Sequence, residues 1–143
     1  ALKDIAAWPK KKEPYYLDKH NVIWVCPQGL KLPNGLYIRY PDLTWDVSEA
    51  KSKYVYKSRR GFISIWGGSV VENIVQALAR IIIGEQMLEI NKKYRPVLTV
   101  HDAVVNVVPT SEIDSAMKYI TDIMSKGICK IVKVHGMDII VQY

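Results

Sequence analysis

Residues Pro96–Pro109 read P-V-L-T-V-H-D-A-V-V-N-V-V-P, an apolar run interrupted at its middle by His101 and Asp102. β-Branched residues suit a pleated surface, so the flanks predict two strands and the polar pair predicts the turn between them. An ionised carboxylate inside a buried run is costly unless it is paired, hydrogen-bonded or bound to a metal. A chain that places one there has a use for it. The same two residues also suit the polar tip of a tight β-hairpin, because Asp is a good turn residue. Both explanations are open on these residues alone.

On the N-terminal side of this run lies the strongest helical pattern in the chain. Ser69 and Glu72 have the S-x-x-E spacing of a capping box, and the helix is expected to run to about Asn91. Val71, Ile74, Val75, Leu78, Ile81 and Ile82 form an apolar face that Val70, Ala77 and Leu88 widen, which predicts burial on several sides. Against that background Gly68, Glu72, Gln76, Arg80 and Gly84 recur every four residues, a narrow polar stripe with a glycine at each end. Such a stripe can offer hydrogen-bonding groups to a groove. Alternatively Glu72 only caps, Arg80 only snorkels and Gln76 is an incidental exposed amide. On the C-terminal side, Thr110 or Ser111 is expected to cap a second helix, with Ile113, Ala116, Met117, Ile120, Ile123 and Met124 on its apolar face. Gly127 stands where a helix-ending left-handed residue is wanted. Residues 128–143 predict one or two strands around a turn at Gly136.

The first half is more finely divided. Asn21–Pro27 has strand composition, and Leu36–Tyr40 alternates as a second strand. Asn34-Gly35 between them signals a type I′ turn. A loop is expected from Pro41 to about Glu49, then a strand pair, Tyr54–Lys57 and Phe62–Trp66, around Ser58–Gly61. Residues 1–20, with their Lys10-Lys11-Lys12 run, read as a peripheral segment with little order before Asn21. Residues 21–143 read as one domain.

The chain has 143 residues, 49% hydrophobic and 24% charged, which is ordinary globular composition and argues against disorder. Its apolar stretches fall short of a membrane span and no secretion signal is apparent. Cys26 and Cys129 form neither a zinc pattern nor a dithiol motif, so they are expected as buried free thiols in a reducing compartment. A net charge of +6 and a pI near 9.3 favour a polyanionic partner. Lys51, Lys53, Lys57, Arg59 and Arg60, interleaved with Tyr54 and Tyr56, suit phosphate contact and base stacking, or else a solvated strand face. Lys92, Lys93 and Arg95 read as a solvated helix end.

Gly67–Arg80 (GGSVVENIVQALAR) closely resembles the GG-x-x-x-ENIVQA-x-AR signature of phage-type family A DNA polymerases. Leu98-Thr99-Val100-His101-Asp102 resembles the third polymerase motif of that family, at the expected distance behind it. Leu32-Pro33-Asn34-Gly35, followed by Tyr37 and Tyr40, resembles the LPSGR…Y segment that follows the fingers. The resemblance spans about Leu30 to Pro109, with the three matches in the right order. It implies that Asp102 is the palm aspartate that binds two divalent metal ions, Mg²⁺, and that His101 contacts the primer end. It further implies that Gln76 reaches the template–primer DNA in the minor groove, with Glu72 and Arg80 on the same stripe. Lys57, Arg59 and Arg60 become candidates for DNA contact. Two-metal phosphoryl transfer holds its ions about 4 Å apart between carboxylates, and a hairpin turn is a rigid place for one of those carboxylates.

The departures bear on activity. Where the family commonly reads His-Asp-Glu, position 103 is Ala103. Ile81 stands where an Asp often follows the signature Arg, and Leu36 replaces the Arg of LPSGR, with Arg39 nearby. A DYSQIELR-like first metal motif, the nucleotide-binding fingers helix and an exonuclease segment have no counterpart in these residues. Asp42, Asp46 and Asp138 are not in matching context.

The expectation is therefore an α+β fold, palm-like but partial, with an antiparallel sheet containing the central β-hairpin of Asp102 packed against two main helices. Residues 21–143 would be the C-terminal palm domain of a family A polymerase. It would act on template–primer DNA and a deoxynucleoside triphosphate in a phage host's cytoplasm. The metal site would be completed by a second polypeptide or the rest of a longer protein, and the isolated chain would be inactive. The alternative is a palm-derived nucleic-acid-binding module without catalysis.

Overall fold

The computed structural model describes Leu2, Ala6 and residues 14–27, 29–47, 52–126, 132–134 and 137–139. The expected α+β class is what these residues form: short antiparallel strands with two long helices. Contacts divide the chain into two compact units, residues 1–77 and 78–143, and the longer helix begins in the first and ends in the second.

In the first unit β1 (Tyr15–Tyr16), β2 (Trp24–Cys26), β3 (Gly29–Lys31) and β4 (Tyr37–Ile38) make a four-stranded antiparallel meander. Order therefore begins earlier than Asn21. The cause is Asp18, whose carboxylate accepts the backbone N–H groups of His20 at 2.8 Å, Val22 at 3.0 Å and Ile23 at 2.7 Å. That cluster closes the β1–β2 connection, with Asn21 in the left-handed region at φ 59°. Val25 and Leu30 are fully buried, and Ile23, Cys26 and Leu32 are buried with them.

The β3–β4 turn corrects an expectation. Gly35 has φ 83° but Asn34 has no positive φ, so the turn is not type I′. Pro33 carries the preset φ that suits the second position of a turn. The turn hydrogen bond accordingly runs from Gly35 N–H to Leu32 C=O at 2.9 Å, and Gly35 alone takes the left-handed position. Leu36 lies outside the strand, where its N–H donates to the Asn34 side chain at 3.1 Å.

The expected loop from Pro41 contains a strand. β5 (Thr44–Asp46) pairs with β6 (Lys53–Ser58), which pairs with β7 (Gly61–Ile65), forming a separate three-stranded sheet. A three-residue strand with an acidic end has no alternation long enough to detect; its ladder to β6 defines it. The predicted β6–β7 hairpin is present, with Arg59-Arg60 as its two-residue turn.

The long helix α1 (Gly67–Ile90) starts two residues before Ser69. Ser69 is thus inside the helix and the capping box does not form; Glu72 instead accepts a hydrogen bond from Gln76. Burial on several sides is not found either. Val70 is fully buried and Ile81, Gln86 and Ile90 are buried, while Val71, Val75 and Leu88 are exposed. Hydrophobic composition all round a helix states what can be buried, and neighbouring elements decide what is.

In the second unit β8 (Pro96–Val100) and β9 (Ala103–Asn106) form the predicted hairpin. A 3₁₀ turn at Thr110–Glu112 leads into α2 (Ile113–Ser125). Neither Thr110 nor Ser111 caps that helix: Glu112 occupies the cap position without a side-chain bond, and Ser115 Oγ donates back to Glu112 C=O at 2.9 Å. Ile90 from α1, Tyr94 and Ala116 from α2 form the core, and Val104, Val108, Tyr119, Ile120, Ile123 and Met124 pack on it. The hairpin is thus seated against both helices, as expected. Among the described residues it is nevertheless its own two-stranded sheet rather than part of a larger one, as is the pair β10 (Val132–Val134) and β11 (Met137–Ile139). Pro96 has no N–H for a ladder and the register shifts between Pro96 and Leu98, which shortens β8 as a pairing edge. The expectations at Lys51, Gly127, Cys129 and Gly136 lie outside the described residues.

Candidate functional site

Strand pairing builds the first candidate site. Val100 and Ala103 are cross-strand partners, which leaves His101 and Asp102 as the two residues of the turn. Of these, His101 takes positive φ, 54°. That is uncommon for a residue with a side chain, although His tolerates it better than most. One face of the hairpin carries Val104 into the core, where Asn106 Nδ2 also donates to Tyr94 C=O at 3.1 Å. The opposite face carries Leu98, Val100 and Val105, all exposed. The apolar run is therefore half covered, and the cost expected from a buried carboxylate does not arise: His101 and Asp102 are both exposed at the tip. The turn that carries these two groups tops a ladder that packs through Val104 against residues of both helices.

The second candidate is the polar stripe of α1. Glu72, Gln76 and Arg80 are exposed, successive members lying about 6 Å apart along the helix axis. Gln76 Nε2 donates to Glu72 Oε1 at 3.1 Å, which orients the amide and leaves its carbonyl oxygen and one hydrogen for a ligand. The glycines at the two ends differ. A side chain at Gly84 would meet nothing within 4 Å, whereas the space beside Gly68 is filled by the Trp66 ring.

A residue not singled out from the sequence joins two of the quoted segments. Asn73 Nδ2 donates to the Tyr40 hydroxyl at 3.0 Å, tying the segment that starts at Leu32 to the start of α1. Tyr40 is buried and its ring meets Tyr56 edge to face at 5.4 Å. Burial pushes the Tyr40 phenol up from its ordinary value; the Asn73 hydrogen bond opposes this and Tyr56 adds to it. Asn73 had a signal, its place beside Glu72 in the signature, but a tyrosine 33 positions earlier offers no spacing by which to pair them.

The basic residues occupy the β6–β7 hairpin. Arg59 and Arg60 are exposed at its turn, and Lys57 is exposed one strand position inside it, 4.0 Å from Asp42. Tyr54 and Tyr56 do not interleave with them on one surface. Alternation puts both tyrosines on the face opposite Lys57, where Tyr54 meets Trp45 at 4.7 Å and Tyr56 meets Tyr40. At the end of α1, Lys92 pairs with Glu89, and the Lys93 ammonium lies 5.1 Å from the Tyr94 ring and 5.5 Å from that of Tyr119. This is the solvated helix end expected there.

Among the described residues no group of three His, Cys, Asp or Glu side chains gathers to hold a metal ion, and Asp102 stands as a single exposed carboxylate. By themselves these residues do not fit a two-metal pair. Cys26 is a buried free thiol, and burial pushes it up against the opposing charge of Lys31. No described helix is long and apolar enough to cross a membrane.

No family model matches the chain, and no solved structure matches it. It is similar to a protein of Bacillus phage SP02 named DNA polymerase, with 32% identity over 111 residues, covering 70% of this chain. The chain spans 17% of the length of that relative. By sequence, then, this chain is related to one part of a phage DNA polymerase.

Proposed function

We propose that the chain is the C-terminal palm part of a phage-type family A DNA-directed DNA polymerase. The complete enzyme adds a deoxynucleotide to a primer 3′-hydroxyl under direction of a template, in the host cytoplasm. The observation that carries this is the exposed His101-Asp102 turn, held on a rigid hairpin in a chain related to a DNA polymerase. In this assignment Asp102 supplies one carboxylate toward Mg²⁺ and His101 meets the primer end. Gln76, oriented by Glu72, faces the minor groove of the template–primer duplex, where its free amide hydrogen suits the acceptors shown by every base pair. Arg80 extends that stripe, and Lys57, Arg59 and Arg60 contact DNA phosphates. The carboxylate that completes the metal pair comes from polypeptide outside these 143 residues, either a longer chain or a second one.

A chimera tests this assignment. The matching segment of the related phage polymerase is replaced by this chain, and primer extension is measured with Mg²⁺. Extension is expected, and Asp102→Ala in the chimera abolishes it. Extension that survives Asp102→Ala sinks the assignment. So does a folded chimera that binds primer–template DNA and never extends it. The isolated chain is expected to extend nothing; extension by it would overturn the need for outside residues.

A second assignment, a palm-derived nucleic-acid-binding module without catalysis, is favoured by Ala103, which removes a carboxylate beside Asp102. It predicts an inactive chimera together with duplex binding by the isolated chain that is steeply salt-dependent and needs no Mg²⁺.

A further inference from the structure

The β6–β7 hairpin combines two features that the sequence pattern did not bring together. Phe62 is the direct cross-strand partner of Lys57, so ring and ammonium share one face of the sheet. Phe62 is the only phenylalanine in the chain, and it is 63% exposed on a strand. A ring left in water at that level contributes little to the fold, and this one sits next to cations. Arg59 and Arg60 form the turn beyond the next pair, Ser58 and Gly61, and residues 52–66 contain no acidic side chain. The Lys57–Asp42 pair is long and exposed, of the kind that yields readily to a competing phosphate.

The turn is also braced. Ser58 Oγ donates to Gly61 C=O at 2.8 Å and accepts the Arg60 N–H at 3.1 Å. Gly61, at φ 109°, supplies the backbone conformation that a side chain would resist. The guanidinium stems therefore leave a fixed loop rather than a mobile one. The tyrosines of the same hairpin are excluded from this face, since Tyr54 and Tyr56 lie on the other side against Trp45 and Tyr40.

We propose that this face binds an unpaired nucleic-acid strand, with a base stacked on Phe62 and phosphates held by Lys57, Arg59 and Arg60. Duplex phosphates would satisfy the cations equally well. The ring selects an unpaired strand, because a base in a duplex already has both faces stacked and cannot offer one to Phe62. The assignment of that strand as DNA, the single-stranded template ahead of the primer, rests on the polymerase function proposed above.

The test is fluorescence anisotropy with the full chain and a labelled thymidine oligonucleotide of about twelve nucleotides, the matching duplex, and the uridine oligonucleotide. The single DNA strand is expected to bind more tightly than the duplex, without Mg²⁺. Phe62→Ala is expected to weaken single-strand binding about 5- to 150-fold, the range for losing one base–aromatic stack, and to leave duplex binding unchanged. Phe62→Trp should restore it. Arg59→Gln with Arg60→Gln should weaken both ligands and make the single-strand salt slope shallower by about 0.7 per charge removed. Single-strand binding that is unchanged in Phe62→Ala overturns the proposal, as does equal affinity for duplex and single strand. Preference for the uridine strand overturns the template assignment. Asp102→Ala should not change oligonucleotide binding although it abolishes extension by the chimera, so the two proposals fail separately. Phe62 is exposed, so an unchanged circular dichroism spectrum is expected of its variants.

Discussion

The hydrogen bond between Asn73 and Tyr40 predicts a coupling that a double-mutant cycle measures. Tyr40→Phe removes the acceptor oxygen and keeps the ring, including its contact with Tyr56. Asn73→Ala removes the donor. At 3.0 Å between a buried tyrosine and an exposed asparagine, the bond is an ordinary neutral one, worth about 0.5–1.5 kcal/mol net. Each single variant should lose about that much, with Asn73→Ala offset by the roughly 0.5 kcal/mol by which alanine favours a helix interior. The double variant should lose no more for this contact than either single, leaving a coupling of about 1 kcal/mol. The assay is urea unfolding followed by tryptophan fluorescence. All four tryptophans, Trp8, Trp24, Trp45 and Trp66, precede residue 78, so the signal reports the unit that contains the bond. A coupling within about 0.3–0.5 kcal/mol of zero, the level at which separate sites simply add, would refute the claim that this contact ties the two segments together.

Three further outcomes are expected of this fold. Because burial raises the Tyr40 phenol, the folded chain holds that proton to higher pH than the unfolded chain does. The associated stabilisation is complete below about pH 10, the unfolded value, and is lost as pH rises through the folded one. Urea midpoints taken upward from roughly pH 9 should therefore fall more steeply for the parent than for Tyr40→Phe, and parallel curves would count against it. Gly29→Ala should prevent stable folding of the first unit, since φ is 129° and the new Cβ would press on the Ile38 carbonyl and lie 3.2 Å from the Arg39 Cα; a native-like tryptophan spectrum in that variant would contradict the β3–β4 packing. Ile90→Ala should cost the second unit about 2–5 kcal/mol, because Ile90 is fully buried between Tyr94 and Ala116. Hydrogen exchange in Ile113–Ser125 should quicken accordingly, and unchanged protection would show that Ile90 does not hold α2.

Hairpins centred on His101-Asp102 and on Arg59-Arg60 were legible because each is a local event. Alternating strand residues meet across a two-residue turn, and every determinant lies within about six positions. The two long helices were legible from apolar spacing for the same reason. At two places local signals compete. At Pro33-Asn34-Gly35 the ring of Pro33 places the turn one residue earlier than the Asn-Gly pair suggests. At Ser69 the helix begins on Gly67 and overruns the capping pattern.

What the sequence by itself determined is therefore the hairpins at Arg59-Arg60 and His101-Asp102 and the two long helices, though not β1, β3 or β5, and, by resemblance, the polymerase relationship that a match to a phage DNA polymerase supports. Only tertiary structure decided which side of each element meets a neighbour. Asp102 lies in an apolar run yet is exposed, because it falls in the turn of a hairpin that packs Val104 on the core and leaves Leu98, Val100 and Val105 bare. Tyr40 finds Asn73, 33 positions away. Spacing along the chain sets the periodicity of a face. Contacts between residues far apart in sequence choose between its two sides, because the burial that makes one side favourable exists only once the partners have come together.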